Sequence, residues 1–268
     1  MHFLRQAVIL IILLYCITGH LKAQILNLDR EDGRDTLNRR WMVHANLDLS
    51  TDKQKYRLIN LDLKTEIERL LCNDYVLIFQ AGNDLVFNGK ESIQNEGMIH
   101  LRFRDNDTRK LSPEEFVQYQ WNGALGMEYR FLFGANARYR WFEREKKDLY
   151  AGLGIFHEAE KWNWTAVEKG PVPPDSPSIQ RNIFRLNHYW KYSTRLNQQL
   201  DLSTVTFLQF PLNTHFWTPR WYWEINLYVN AGSHFSFLLH WDQILDHYRV
   251  VPVSTFYYGF ATGLQYHL

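Results

Sequence analysis

The feature that most constrains this chain is a long, regular alternation of apolar and polar residues. It is clearest over residues 124–141, where every odd-numbered position from Leu125 to Trp141 is apolar or aromatic. The even-numbered positions from Gly126 to Arg140 are glycine, asparagine, glutamate or arginine, and only Leu132 breaks the pattern. Successive side chains of a β-strand point to opposite faces, so this segment is a strand with one apolar and one polar face. Such a strand fits the wall of a membrane barrel.

Similar alternation recurs along the chain and predicts an all-β fold, a transmembrane antiparallel up-and-down β-barrel of about 12 strands. An even strand number fits single-chain bacterial barrels. Residues 65–71 could either continue the second strand or begin a short helix. The predicted strands are 41–49, 56–63, 75–87, 94–104, 115–122, 124–141, 149–164, 179–196, 200–210, 220–230, 234–242 and 256–268.

The connections between these segments also follow a pattern. The two longest, residues 165–178 and 211–219, both follow odd-numbered strands, whereas the connections after strands eight and ten are very short. Bacterial barrels have long loops outside and short turns on the periplasmic side. The pattern therefore favours a barrel with a periplasmic N-terminus.

The end of the chain favours the same class of protein. Gly263, Tyr266 and the final residue Leu268 resemble the C-terminal signal of bacterial outer-membrane proteins. We therefore expect the barrel-assembly machinery and outer-membrane lipid as partners. The alternative for this segment is the last strand of a soluble periplasmic β-sandwich, such as a binding protein.

The start of the chain has the features of an export signal. Arg5 precedes the apolar stretch 7–17, which is short for a membrane helix, and cleavage after Ala23 is expected. We predict a signal peptide over residues 1–23, a polar periplasmic lead-in over 24–40 and an outer-membrane barrel over 41–268. The predicted location is the bacterial outer membrane.

Net charge and the pattern of cysteines and histidines give no sign of several other kinds of site. The formal net charge of +1 gives no sign of a nucleic-acid surface. Removal of the leader would leave Cys72 as the only cysteine, so no internal disulfide is expected. No histidine or cysteine spacing is typical of a metal site, and no cofactor is predicted.

Polar side chains on four neighbouring strands form the main candidate site, which we call the lumen set. Adjacent strands bring such groups within pairing distance. They would either form a charged constriction that selects solutes or fill and stiffen the interior as a lattice of ion pairs. The lumen set is Arg102, Arg104, Gln118, Gln120, Glu128, Arg130, Arg138, Arg140, Glu158 and Glu160.

Aromatic residues on the apolar faces are predicted to form the girdles that mark the two membrane surfaces. The predicted girdle is Trp41, Tyr129, Trp141, Trp221, Trp223, Trp241, Tyr258 and Tyr266. A second aromatic set lies near the long loops and would either anchor the barrel at the interface or bind a glycan. It consists of Trp162, Trp164, His215, Phe216, Trp217 and Trp221.

An outer-membrane lipid hydrolase is the competing functional class, because such enzymes pair a histidine with a serine. The candidates are spread over the late strands, and nothing in the sequence selects one pair, so no catalytic residue is predicted. They are His188, His234, His240, His247, Ser193, Ser233 and Ser236.

The middle of the chain resembles a known family. Its residues 115–120, 134–139 and 152–154, with Arg130, Glu158, Glu160 and Trp162, are similar to the salt-induced outer-membrane protein family, also called domain-of-unknown-function family 481. The resemblance covers roughly residues 40–268. It implies an outer-membrane barrel and implies no particular chemistry.

Overall fold

A computed structural model describes residues 41–53, 57–71, 74–89, 91–105, 109–144, 147–167, 178–232 and 235–266. These residues form twelve strands in one sheet, and each strand pairs antiparallel with the next in the chain. The strands are β1 (Trp41–Lys53), β2 (Arg57–Leu71), β3 (Tyr75–Asn88), β4 (Glu91–Asp105), β5 (Leu111–Asn122), β6 (Met127–Arg144), β7 (Lys147–Asn163), β8 (Ser178–Arg195), β9 (Leu200–Pro211), β10 (Arg220–Asn230), β11 (Phe235–Asp246) and β12 (Phe256–Tyr266).

The sheet curls around an interior. Leu125, which lies between β5 and β6, packs against a cluster formed by residues of β9 to β12, including Tyr222 and Tyr257. Strands far apart in the sheet order therefore meet inside it. The predicted fold, an all-β antiparallel up-and-down barrel of about twelve strands, is confirmed, and the described residues form one sheet where a sandwich would have two.

The largest difference from the predicted strand limits is in β2. Residues 65–71 continue this strand, and Ile67 pairs with Val43 of β1 on one side and Phe79 of β3 on the other. Backbone pairing on both sides satisfies the hydrogen-bonding groups of this segment, which a short helix would have to satisfy alone. β11 is also longer than predicted and reaches Asp246.

The connection between β5 and β6 is a short 3-10 turn over Gly123–Leu125. The Asn122 side chain caps it by accepting a hydrogen bond from the backbone N–H of Leu125 at 2.9 Å. Gly126 follows with φ at 75°, a left-handed conformation that favours glycine. The β6 strand therefore begins at Met127 and not at Ala124.

The two ends of the barrel differ, and we name them by their connections. The loop end carries the three longest connections, 164–177, 212–219 and 247–255, and the turn end carries 72–74, 106–110, 145–146, 196–199 and 231–234, none of which is longer than five residues. The long connections predicted from the sequence thus lie at one end. Among the described residues, no helix has the length and apolar character needed to cross a bilayer.

An apolar row runs around the outside of eight strands. Strand register places its members side by side, and several are strongly exposed, including Val43 at 61%, Phe133 at 48% and Phe184 at 54%. His157 is its one polar member, and its ring lies between the rings of Phe133 and Phe184. The row is Val43, Ile67, Phe79, Leu101, Val117, Phe133, His157 and Phe184.

The neighbouring row on the inside is mostly polar and is buried. It consists of Glu66, Gln80, His100, Gln118, Leu132 and Glu158, again in register from β2 to β7. Gln80 donates to Glu66 at 2.6 Å, and a ring nitrogen of His100 lies 2.8 Å from the Gln118 side-chain oxygen. The sheet therefore shows apolar groups to its surroundings and polar groups to its interior.

Candidate functional site

The centre of the candidate site is Glu158, a fully buried carboxylate on the inner face of β7. It contacts one arginine from each of three other strands. Arg130 of β6 lies 3.2 Å away, Arg220 of β10 lies 2.7 Å away, and Arg185 of β8 donates to it through Nε. One side chain thus joins four strands, and the contact with β10 crosses the interior because β7 and β10 are not neighbours.

A second carboxylate, Asp246 at the end of β11, extends this network. Arg220 donates to it from Nε at 2.9 Å, and Arg249 of the following connection lies 4.0 Å from the same oxygen. Arg220 therefore bridges Glu158 and Asp246. Burial lowers the pKa of the Arg249 guanidinium to about 10, and the negative charge of Asp246 opposes that shift. Arg249 remains protonated at neutral pH.

The third carboxylate, Glu160, lies two residues beyond Glu158 on the same face of β7. It contacts Arg130 at 3.2 Å and Arg181 of β8 at 2.9 Å, and it accepts a hydrogen bond from the indole N–H of Trp162 at 2.7 Å. Every contact is charge-assisted, and such hydrogen bonds are stronger than those between neutral groups. Glu160 thereby fixes both arginines and the tryptophan near the loop end.

The connection 247–255 folds inward over these groups. Val251 is 2% exposed and packs with Met127 and Trp162 in an apolar cluster. The Tyr248 carbonyl accepts a hydrogen bond from Arg181 at 2.8 Å, and the Tyr248 ring lies against the same guanidinium. This connection therefore covers the interior at the loop end.

We call this set the charge cluster: Arg130, Arg181, Arg185, Arg220, Arg249, Glu158, Glu160 and Asp246. It contains five guanidinium groups and three carboxylates, so its positive charges exceed its negative charges by two. Among the described residues, the Nη2 atoms of Arg185, Arg220 and Arg249 are buried and have no hydrogen-bond acceptor. The charge cluster is thus an anion-attracting environment with unused donors.

The structure brings three members of the predicted lumen set, Arg130, Glu158 and Glu160, into the charge cluster. The other buried members lie elsewhere on the inner face. Arg138 sits over the Tyr150 ring nearer the turn end, and Gln118 and Gln120 are buried on β5. Sequence alternation identified inward positions but not which of them meet.

The remaining members of the lumen set lie at the margins. Arg102 donates to His100 at 3.3 Å, and Arg104 donates to the Asp105 carbonyl at 3.1 Å. Arg140 pairs with the exposed Glu143 at 2.5 Å near the turn end. These three arginines are separate from the charge cluster.

The prediction that Glu128 points inward is wrong. The pairing of β6 with β7 shifts register between Met127 and Tyr129, so alternation is interrupted there. Met127, predicted to point outward, is buried at 1% exposure, whereas Glu128 is exposed and pairs with Lys161 at 2.7 Å. A one-residue irregularity reverses the faces of both side chains.

Four arginines and one aspartate of the charge cluster were not in the predicted site. Arg185 and Arg220 have the inward phase of their strands, so alternation alone could have included them. Arg181 shares the inward phase of Arg185 on β8, so alternation could have included it as well. Asp246 lies beyond the predicted end of its strand and Arg249 lies in a connection, where the sequence gave no periodic signal. Only the curling of the sheet brings them together.

Several of the predicted girdle residues are exposed on the outer face near one end of the barrel or the other. Trp41 and Trp141 are exposed near the turn end. Tyr258 is exposed near the loop end, where Trp221 and Trp223 stack and donate to Thr206 and Thr204 of β9, each at 2.8 Å. Tyr129 and Trp241 are partly buried. Gly263 pairs with Leu238 and Tyr266 with Phe235, while Leu268 lies outside the described residues.

The aromatic set predicted for the loops divides into two groups. Trp162 is 1% exposed and belongs to the interior, so its assignment to the outer rim is wrong. Trp217 is 85% exposed beside Phe216, and His215 stacks on Tyr248 at 4.3 Å. Trp217 is therefore accessible to a ligand at the loop end, whereas Trp162 is not.

The histidines and serines proposed for a lipid hydrolase do not form one site where the structure describes them. On β8, His188 faces outward and contacts the Gly152 carbonyl, whereas Ser193 is buried on the inner face. His240 lies 2.7 Å from Asn226 and 3.1 Å from Asp242. Ser233 and His234 lie outside the described residues, as do the predicted signal peptide and lead-in.

Comparison with known proteins yields likenesses to solved structures only. The translocator domain of autotransporter NalP from Neisseria meningitidis is 12% identical, with a TM-score of 0.48, over 87% of this chain and 91% of that one. The NanC porin is 9% identical, with a TM-score of 0.46, over 83% of this chain and 100% of that one. No family model and no curated protein matches the chain, so the family resemblance seen in the sequence stays a prediction. At these identities neither structure assigns an activity to this chain.

Proposed function

We propose that this protein is a bacterial outer-membrane barrel whose interior is closed by the charge cluster, so that it acts as a structural barrel and not as an open pore. The observation that carries the closed interior is the position of Glu158, which holds arginines of β6, β8 and β10 around one buried carboxylate. A solute passing along the axis would have to break these contacts.

The membrane location is supported by the two rows of side chains. The outer row exposes valine, leucine and phenylalanine, and fully burying one such side chain is worth about 1.5–3 kcal/mol. The inner row buries glutamate, glutamine and histidine. Soluble proteins bury apolar side chains and expose polar ones, so this arrangement is the reverse of theirs. The hydrocarbon region of a bilayer would cover the apolar row.

The orientation and partners follow from the same proposal. The loop end would face outward, since barrels carry their long loops outside. Outer-membrane lipid would contact the apolar row and the girdle. Gly263, Tyr266 and Leu268 would present the terminal strand to the barrel-assembly machinery. The signal peptide over residues 1–23 would direct export.

A first experiment tests the barrel in lipid. Protein folded in detergent should run differently on a gel before and after boiling, because intact membrane barrels resist denaturation by detergent. A chain that stays in solution without detergent and shows no mobility change would contradict the outer-membrane proposal.

A second experiment tests the closed interior. Protein inserted in a planar bilayer is expected to be electrically silent or to show only rare, small steps. Insertion is verified separately by protease protection of the same protein in vesicles. Sustained conductance of uniform size would contradict the closed interior. In that case, a reversal potential that indicates selectivity for anions would support the narrow-channel alternative. The excess of arginines over carboxylates in the charge cluster favours such selectivity.

A further inference from the structure

The charge cluster has more positive charge than its own carboxylates neutralise. Five arginines face three carboxylates, and all three carboxylates are almost fully buried. Burying an unpaired charge is costly, so such clusters normally include a counter-charge. An anion held among the arginines would supply it.

The unused donors belong to arginines that are linked to one another. Arg185 and Arg220 share Glu158, and Arg220 and Arg249 share one oxygen of Asp246. Their guanidinium groups therefore lie close together. In the described part of the chain, each has a buried Nη2 without an acceptor. Guanidinium groups present planar pairs of donors that match the oxygens of phosphate and carboxylate.

A cavity at the loop end borders one of these arginines. A cavity of about 500 Å³ is lined by residues of the connection 247–255, among them His247, Arg249 and Thr255. Arg249 lines this cavity and also lies beside Asp246 in the charge cluster. Arg249 thus borders both the cavity and the buried arginines.

We propose that the charge cluster binds an oxyanion of the phosphate or carboxylate class, which enters from the loop end and is held by Arg249 together with Arg185 and Arg220. This inference deepens the closed barrel proposed above and rests on its charge cluster. The oxyanion would be either a free ion or the headgroup of an anionic lipid, because both present the same oxygens.

The test is a titration of the full-length mature protein, folded in detergent, with inorganic phosphate, followed by calorimetry and by the thermal unfolding midpoint. Sodium chloride keeps the ionic strength constant, so general screening does not contribute. A second titration uses a short-chain phosphatidylglycerol. Saturable binding of phosphate supports a free oxyanion, and binding of the lipid alone supports the headgroup.

Arg249→Gln is the diagnostic variant, because it removes one guanidinium from the connection and leaves the strands intact. It should weaken binding about tenfold or more, the value of one charge-assisted hydrogen bond. Arg195→Gln is the matched control: Arg195 is exposed at the turn end and pairs with Asp201, so binding should be unchanged. Arg249→Lys keeps the charge, loses the forked donors and should bind with intermediate affinity.

The result that overturns the proposal is the absence of saturable binding of either probe to the wild-type protein. Binding that Arg249→Gln and Arg249→Lys leave unchanged overturns it as well. The bilayer experiment reports separately on the closed interior. A silent barrel that binds no anion would reject this inference alone, whereas a conducting barrel that binds phosphate would reject only the closed interior.

Discussion

Replacing Glu158 with glutamine should be among the most destabilising conservative changes in this protein. The substitution keeps the size of the side chain and removes one negative charge. Glu158 is fully buried and contacts Arg130, Arg185 and Arg220. After the change, the five arginines of the charge cluster would face only two carboxylates.

The distances between these charges imply strong attraction. With an effective dielectric constant near 20, two unit charges 2.7 Å apart attract by about 6 kcal/mol and charges 3.2 Å apart by about 5 kcal/mol. The glutamine side chain is neutral, so the variant avoids the cost of burying a carboxylate, and this saving offsets much of the lost attraction. Breaking a buried ion pair by removing one partner typically costs about 3–5 kcal/mol. We expect the free energy of unfolding of the Glu158→Gln variant to fall by an amount in that range.

The assay is reversible urea unfolding of the protein in phospholipid vesicles, followed by tryptophan fluorescence. Glu143→Gln is the control, since Glu143 is 46% exposed and pairs with Arg140 near the turn end. The Glu143→Gln variant should lose at most about 1 kcal/mol of unfolding free energy. A Glu158→Gln protein within about 1 kcal/mol of the wild type would show instead that the charge cluster contributes nothing beyond filling space.

Two further predictions concern the wall of the barrel. Val117→Arg places a charge in the apolar outer row and should destabilise the vesicle-inserted protein by about 2–4 kcal/mol, whereas Val117→Leu should be nearly neutral; equal stability of the two variants would contradict a lipid-facing row. Gly154→Ala should cost about 1–3 kcal/mol in the same unfolding assay, because the added Cβ would lie 2.0 Å from the backbone oxygen of Ala135. Gly123→Ala, whose nearest contact would be 3.5 Å, is the control, and a similar loss in both would exclude the close strand approach as the cause.

Alternation was sufficient to predict most of the wall. A strand that separates lipid from a polar interior must alternate at every residue, and Phe131 and Phe133 indeed lie outside while Arg130 and Arg138 lie inside. The prediction lost accuracy where pairing, and not side-chain pattern, decides the structure. Residues 65–71 became strand because β1 and β3 both offer partners.

The bulge at the start of β6 shows a second limit. The sequence around Met127 and Glu128 continues the alternation without interruption, so its pattern gave no sign of a register shift. The shift leaves Met127 free to pack with Trp162 and Val251 under the loop end. Tertiary packing thus overrode a local pattern that was otherwise reliable.

The charge cluster could not be predicted from the sequence for a different reason. Residues far apart in the chain, such as Glu158 and Arg220, meet only across the interior, and a strand pattern gives the face of a residue but not its partner across a barrel. The sequence therefore predicted the buried charges of β6 and β7 but not the partners that they meet on β8 and β10.

The contact between Glu158 and Arg220 also indicates what a costly burial of charged groups can contribute to the fold. Every strand pairs only with its neighbours, and a shift of one residue at any pair would turn apolar groups inward. Glu158 and Arg220 join β7 directly to β10, and their contact exists only if all three intervening strand pairs are in register. An apolar interior would tolerate small shifts, whereas an ion pair of 2.7 Å between fully buried groups would be broken by them. The charge cluster would therefore specify the register of this side of the barrel as well as close its interior.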